Sequence, residues 1–155
     1  MSDRKSTAHW EKLGADPRTF TTPEQFNEFG RNHLPETAGV EITHVDTDRF
    51  EGRMPVRHGL LAPNGFLHAA SVVALADTLT GYATIISLPE GAASFTTVEL
   101  KSNHTGTVTE GVVAGVATPV HRGRTTQVWD CVVTPEGSDK PIAHFRCTQA
   151  ILWPR

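Results

Sequence analysis

The sequence predicts an α+β domain: one antiparallel sheet of about six strands wrapped round a single long helix. Three observations predict it. Residues 68–86 form one Ala-rich, apolar stretch without proline, long enough for about five turns of helix. It is apolar nearly all round, as a buried central helix should be. Shorter segments rich in β-branched and aromatic residues flank it, each bounded by glycine or proline. The links between the later segments are short, which suits antiparallel neighbours. A length of 155 residues agrees with one domain.

Residues 1–20 are polar and irregular, with Gly14 and Pro17, and read as a loose arm before a single domain over 21–155. Thr22-Pro23-Glu24-Gln25 predicts a helix start. Thr22 caps, Pro23 suits the first helical position, and Gln25 completes a capping box. The helix is expected over 22–33, with Pro35 stopping it. Strands follow over 40–45 and 49–56, joined by a turn at Thr47-Asp48. Gly59, Pro63 and Gly65 mark a loop before the long helix. Four more strands are expected over 95–104, 111–121, 125–134 and 142–152. Gly106, Gly123 and the 135–141 stretch punctuate them.

Composition excludes several classes. Lys plus Arg number 14 and Asp plus Glu 17, for a net charge of −3. A near-neutral chain lacks the basic stripe of a nucleic-acid or anionic-membrane binder. No apolar run is long enough for the roughly 20 residues of a membrane span. The N-terminus has no apolar signal core, so a cytoplasmic location is expected. Cys131 and Cys147 are too few for a disulfide scaffold or a four-cysteine zinc site, and are expected to be buried in strands. The eight histidines show no paired metal spacing, so no metal is expected. Trp129 is expected in the core or an interface.

Asp77 is the first chemical candidate. It stands amid Val73, Leu75, Ala76 and Leu79, where an unpaired carboxylate is costly. Either its helix face is exposed or paired, or it is a tuned base or nucleophile. His68-Ala69-Ala70 opens the same helix. A helix N-terminus offers free N–H groups to a developing oxyanion; alone, it is an ordinary helix start. Ala69 and Asp77 are eight residues apart, about 12 Å along one helix. One carbonyl needs both within about 3 Å. Two antiparallel copies of the helix satisfy that, so a site using both lies across a two-fold dimer.

These residues resemble a family. Asn64-Gly65-Phe66-Leu67-His68-Ala69-Ala70, followed by Ala74-Leu75-Ala76-Asp77, is similar to the hotdog-fold acyl-CoA thioesterases of the phenylacetate-degradation and 4-hydroxybenzoyl-CoA types. Their pattern is Gly-x-x-His-Gly-Gly, with Asp or Glu nine positions after the His. Ser102-Asn103-His104-Thr105 and the stretch Gly123 to Asp130 add to the likeness, which spans about residues 38–153. It implies hydrolysis of a CoA thioester, aromatic or arylacetyl, by a homodimer or a dimer-of-dimers tetramer without cofactor. Asp77 would activate water or attack the carbonyl. The Ala69 N–H would polarise that carbonyl, and His68 would orient the turn or touch the thioester. Asn64 is a polar candidate beside it, although relatives carry Asn or Gln six positions before the His, where this chain has Ala62. Thr97 matches a hydroxyl placed near the water. His-Ala-Ala replaces His-Gly-Gly; the N–H survives if the backbone is helical there.

For the CoA portion, Arg122, Arg124, Thr125 and Thr126 offer guanidinium and hydroxyl groups at a turn. The same residues also suit a plain solvated hairpin. Asn103 and His104 are expected on the same rim, with Gly65, Phe66 and Ala70 near the thioester. A hotdog hydratase pairing His with a carboxylate, and a non-catalytic acyl-CoA-binding module, are the alternatives.

Overall fold

Helix α3 (Ala69–Ile86) is the axis of the molecule. The computed structural model describes Trp10 and residues 14–154. Six strands form one antiparallel sheet about α3: β1 (Glu41–His44), β2 (Phe50–Pro55), β3 (Ser94–His104), β4 (Val112–Arg122), β5 (Thr126–Pro135) and β6 (Ala143–Leu152). Each begins and ends within a residue or two of its expected limits.

Their order is β1-β2-β4-β5-β6-β3. The short 105–111 link does not make β3 and β4 neighbours. Instead β2 pairs with β4, and β3 pairs with β6 at the far edge. The cause is α3, which crosses the inner face between β2 and β3 and delivers the chain to the opposite side. Along β4, β5 and β6, alternate residues are buried against α3, as a half-covered sheet requires. Trp129, Cys131 and Cys147 lie in that buried set, and both thiols are free.

Two glycines set the height of the helix over the sheet. A Cβ on Gly52 would stand 2.7 Å from Leu79 Cδ2, and one on Gly115 would stand 2.6 Å from Leu79 Cδ1. Leu79 therefore sits in a trough across β2 and β4. Gly115→Ala is expected to lift α3 and cost about 1–3 kcal/mol by overpacking, measured by denaturant unfolding; an unchanged midpoint would refute this seating.

The N-terminal elements pack on one end of α3. Thr22 caps α1 (Pro23–Phe29), and the capping box with Gln25 is present. The helix expected to reach residue 33 ends earlier. Asn32 takes a positive φ of 62°, and a second helix, α2 (Leu34–Ala38), carries Pro35 in its first turn. Pro35 opens a helix rather than stopping one, because a first-turn N–H has no intrahelical partner to lose. Asn27 reaches the edge strand β1. Its Nδ2 donates to the Ile42 carbonyl at 3.1 Å, and its Oδ1 accepts from the Ile42 N–H at 2.8 Å.

Residues 1–9 and 11–13 of the expected loose arm lie outside the described residues. Its described part is packed, not loose. Asp16 caps a 3-10 turn (Pro17–Thr19), Arg18 donates to the Ala92 carbonyl at 3.1 Å, and Trp10 Nε1 donates to the Ala93 carbonyl at 3.0 Å. Phe20 meets Phe26 and Phe29 edge-on; ring contacts with sequence-distant partners give no local signal. Helix α3, at 18 residues, is apolar enough to cross a membrane by composition, beyond what the sequence reading allowed. Half of it is buried inside the fold, which accounts for that apolarity.

Candidate active site

The chain enters α3 through a small, tightly bonded turn. Ala62 N–H donates to the Phe66 carbonyl at 2.7 Å, and Gly65 N–H donates to the Ala62 carbonyl at 2.9 Å. Gly65 has φ +88°, a conformation that favours glycine. Asn64 Oδ1 accepts from the Phe66 N–H at 3.3 Å, so the carboxamide shapes its own turn. Phe66 faces outward, 44% exposed.

His68 is the N-cap of α3, and its Nδ1 accepts the Ala70 N–H at 2.9 Å. The ring proton therefore belongs on Nε2, by assignment from this bond. The bond also consumes the Ala70 amide. The exposed Ala69 N–H has no partner among the described residues. Ala69 is helical, and Asn32 is the only non-glycine with positive φ among the described residues. Alanine at this position is thus unstrained, and the donor survives the His-Ala-Ala substitution.

Asp77 lies in the middle of α3, half-buried. Its Oδ1 is buried and accepts no hydrogen bond among the described residues. Burial pushes its carboxyl above the ordinary carboxylate range, and no neighbouring cation pulls it back. Cys147 of β6 lies nearby, within the field of Asp77, and its sulfur accepts from Gln149 Nε2 at 3.4 Å. Burial pushes that thiol up to about 11, so it stays neutral at ordinary pH. Ala69 and Asp77 occupy one continuous helix, so their separation stays at about 12 Å. One chain does not bring them to one carbonyl.

Thr97 lies opposite Gln149 on β6, whose side chain is buried toward α3. Leu100 lies opposite the buried Cys147 and is 43% exposed. Thr97 and Leu100 thus belong to an uncovered strip of the inner face, next to the strand beneath Asp77. Asn103 and His104 do not line the rim of the arginine turn within one chain: they lie opposite the start of β6, whereas Thr126 lies opposite Ala150 near its end. Asn103 lies opposite the exposed His144, and His104 opposite the buried Ala143. Successive strand residues point to opposite faces.

The arginine turn sits at the other end of α3. Arg122 donates to the Thr47 carbonyl at 2.9 Å and the Asp48 carboxylate at 2.7 Å. Arg124 lies over the Trp153 ring, 4.1 Å from its centre. Gly123 N–H donates to the Thr126 carbonyl, and the Thr125 carbonyl accepts the Ile151 N–H. A cavity of about 530 Å³ opens here, lined by Arg122, Arg124, Ser87, Gln127 and Trp153 among others. Sequence reasoning missed Asp48, Trp153 and Cys147. Only the sheet register brings them to the site, and no local pattern signals it.

The chain thus combines an antiparallel sheet around a central helix with a carboxylate mid-helix and a free N–H at the helix start. The thioesterase superfamily model matches residues 64–142. A 1,4-dihydroxy-2-naphthoyl-CoA hydrolase of Escherichia coli is 30% identical over 84% of this chain and 95% of its own length. A proofreading thioesterase of Cronobacter sakazakii is 33% identical over 84% and 94%. The crystal structure of a thioesterase from Haemophilus influenzae superposes with TM-score 0.81 at 32% identity, over 87% of this chain and 93% of that one. The chain belongs to the thioesterase superfamily, and it is a hotdog-fold thioester hydrolase.

Proposed function

We propose that the chain hydrolyses an aromatic or arylacetyl-CoA thioester at a site shared by two copies. The observation that carries this is the pairing on one helix of a half-buried, unpartnered Asp77 carboxylate with an unbonded Ala69 N–H about 12 Å away. Antiparallel α3 helices about a two-fold axis set Ala69 of one copy against Asp77 of the other. Strand β3 supports that assembly. It is an 11-residue sheet edge that exposes Val98 and Leu100.

In this reading the Asp77 carboxylate takes a proton from water as the water oxygen bonds to the thioester carbon, or attacks that carbon itself. The carbonyl oxygen becomes an oxyanion and accepts the partner copy's Ala69 N–H. His68 Nε2–H is a second donor on the same turn. Collapse breaks the C–S bond, and the CoA thiolate leaves and is protonated; where Asp77 itself attacked, water then cleaves the resulting mixed anhydride, releasing the acid and restoring the carboxylate. Thr97 lies on the uncovered strip from which water reaches Asp77. No step needs a cofactor. The Arg124–Trp153 ledge receives the phosphates, with Thr125 and Thr126 beside it. Arg122 is already neutralised by Asp48, so it braces the turn. Ser87, beside this ledge, is ten residues past Asp77, about 15 Å, a distance an extended pantetheine arm bridges.

The aromatic preference draws on the naphthoyl-CoA hydrolase named above; a cytoplasmic location and a dimer-of-dimers tetramer complete the reading. A thiol-release screen with benzoyl-, phenylacetyl-, butyryl- and palmitoyl-CoA tests it. Turnover should favour the two aromatic esters. Preference for butyryl- or palmitoyl-CoA would overturn the aromatic assignment.

A further inference from the structure

A second cavity, of about 510 Å³, lies between α1, α2 and β1 and shares no residue with the site above. Its floor is Tyr82, on α3. Tyr82 is 9% exposed, yet its hydroxyl makes no hydrogen bond to any described residue. The ring is buried but the hydroxyl oxygen opens to the cavity, where a ligand atom can take the bond that no side chain supplies. The ring is held firmly by its neighbours: Phe26 at 4.9 Å, Phe29 at 5.9 Å and Phe50 at 6.4 Å between ring centres. Gly30 borders the hydroxyl. A Cβ there would lie 3.0 Å from Tyr82 Oη and 3.1 Å from Pro35 Cβ. Gly30 has ordinary helical φ, −78°, so its backbone does not require glycine. The missing side chain is what keeps the hydroxyl open to the cavity.

The walls carry one sign of charge. Glu24, Glu28, Glu36 and Glu41 line the cavity, against Arg31 as the one cation in the lining. Arg31 is paired with Glu28 and Arg53 with Glu41, each at 2.9 Å, so Glu24 and Glu36 supply the charge that no cation offsets. Such a wall repels the phosphates of CoA and attracts cations. Burial pushes the Tyr82 phenol up to about 12, so it is a neutral donor and acceptor at ordinary pH.

We propose that this cavity is a separate binding site for a small organic amine, whose ammonium group donates to Tyr82 Oη and faces the glutamate wall. The hydroxyl supplies the acceptor at the floor, the carboxylates supply charge-assisted bonds at the rim, and the space suits a short aliphatic body. This inference does not rest on the proposed substrate.

Isothermal titration calorimetry of the full chain with putrescine tests it, with sodium chloride at equal ionic strength and glutarate as controls. Saturable heat with putrescine alone is expected. Gly30→Ala, which places a methyl against the hydroxyl, and Tyr82→Phe, which removes it but keeps the ring, should each weaken binding at least tenfold. Asp77→Asn should leave it unchanged. Absence of saturable putrescine heat, equal binding by glutarate, or full affinity in folded Tyr82→Phe would overturn the proposal. Because Tyr82→Phe preserves the packed ring, it remains informative if Gly30→Ala fails to fold.

Discussion

Asp77→Asn is expected to lower kcat by about two to four orders of magnitude, the range for removing a positioned base, while Tm at neutral pH rises. The two effects have one origin. Burial raises the carboxyl's pKa in the folded chain, so the unfolded chain favours the ionised form more than the folded chain does. The charge therefore costs folding free energy at neutral pH. That cost fades as pH falls through the folded-state value and the group protonates. The Tm advantage of Asp77→Asn should be greatest near neutrality and vanish in acid. By the same sign, the acid limb of kcat should fall above the ordinary carboxylate range of about 3.9. Steady-state kinetics and thermal unfolding across pH check both. An active variant would remove Asp77 from the mechanism, and one less stable at neutral pH would refute the cost of burying its charge.

Ala69→Pro is expected to lower kcat by about two to three orders of magnitude, the range for loss of one oxyanion donor. Proline suits the first position of a helix, where the N–H has no intrahelical partner. The preceding residue, His68, already has ψ 137°, the extended conformation proline demands of its neighbour. The substitution thus deletes one hydrogen atom's worth of function with the helix intact. It also tests whether two copies share a site. In a mixed dimer of Ala69→Pro and Asp77→Asn chains, one site carries both defects and the other neither. Refolding equal amounts together should restore about a quarter of wild-type activity, since half the dimers are mixed and each has one intact site. No recovery, with mixed dimers verified by mass, would refute a site shared between two copies.

Much of this was legible from local pattern. The run from His68 to Ile86 needs no long-range information to read as a core helix, and Thr22-Pro23-Glu24-Gln25 states its own cap. Asp77 stood out because a carboxylate among Val73, Leu75 and Leu79 contradicts its surroundings. What failed was non-local. Pro35 satisfies a helix start as well as a helix stop, and only Asn32 in the left-handed region separates the two. The placement of β3 beside β6 depends on the path of α3 over the sheet. Asn103 and His104 are expected beside the arginine turn, and only the register of β3 on β6 shows that they lie at the far end of that strand from Thr126. Arg122 read as a free cation because Asp48 lies 74 residues away.

The Asn27 carboxamide bears on which edges of the sheet are free to pair. It saturates both outward backbone groups of Ile42 on β1, so one end of the sheet presents a side-chain stopper where a neighbouring strand would dock. The other end, β3, stays open. For strand addition the molecule is monovalent: joining β3 to β3 exhausts the one available edge. A head-to-tail ribbon needs two. Were two copies to join through β3, that pairing would stop at two, and Asn27→Ala is expected to free the β1 edge for further strand addition.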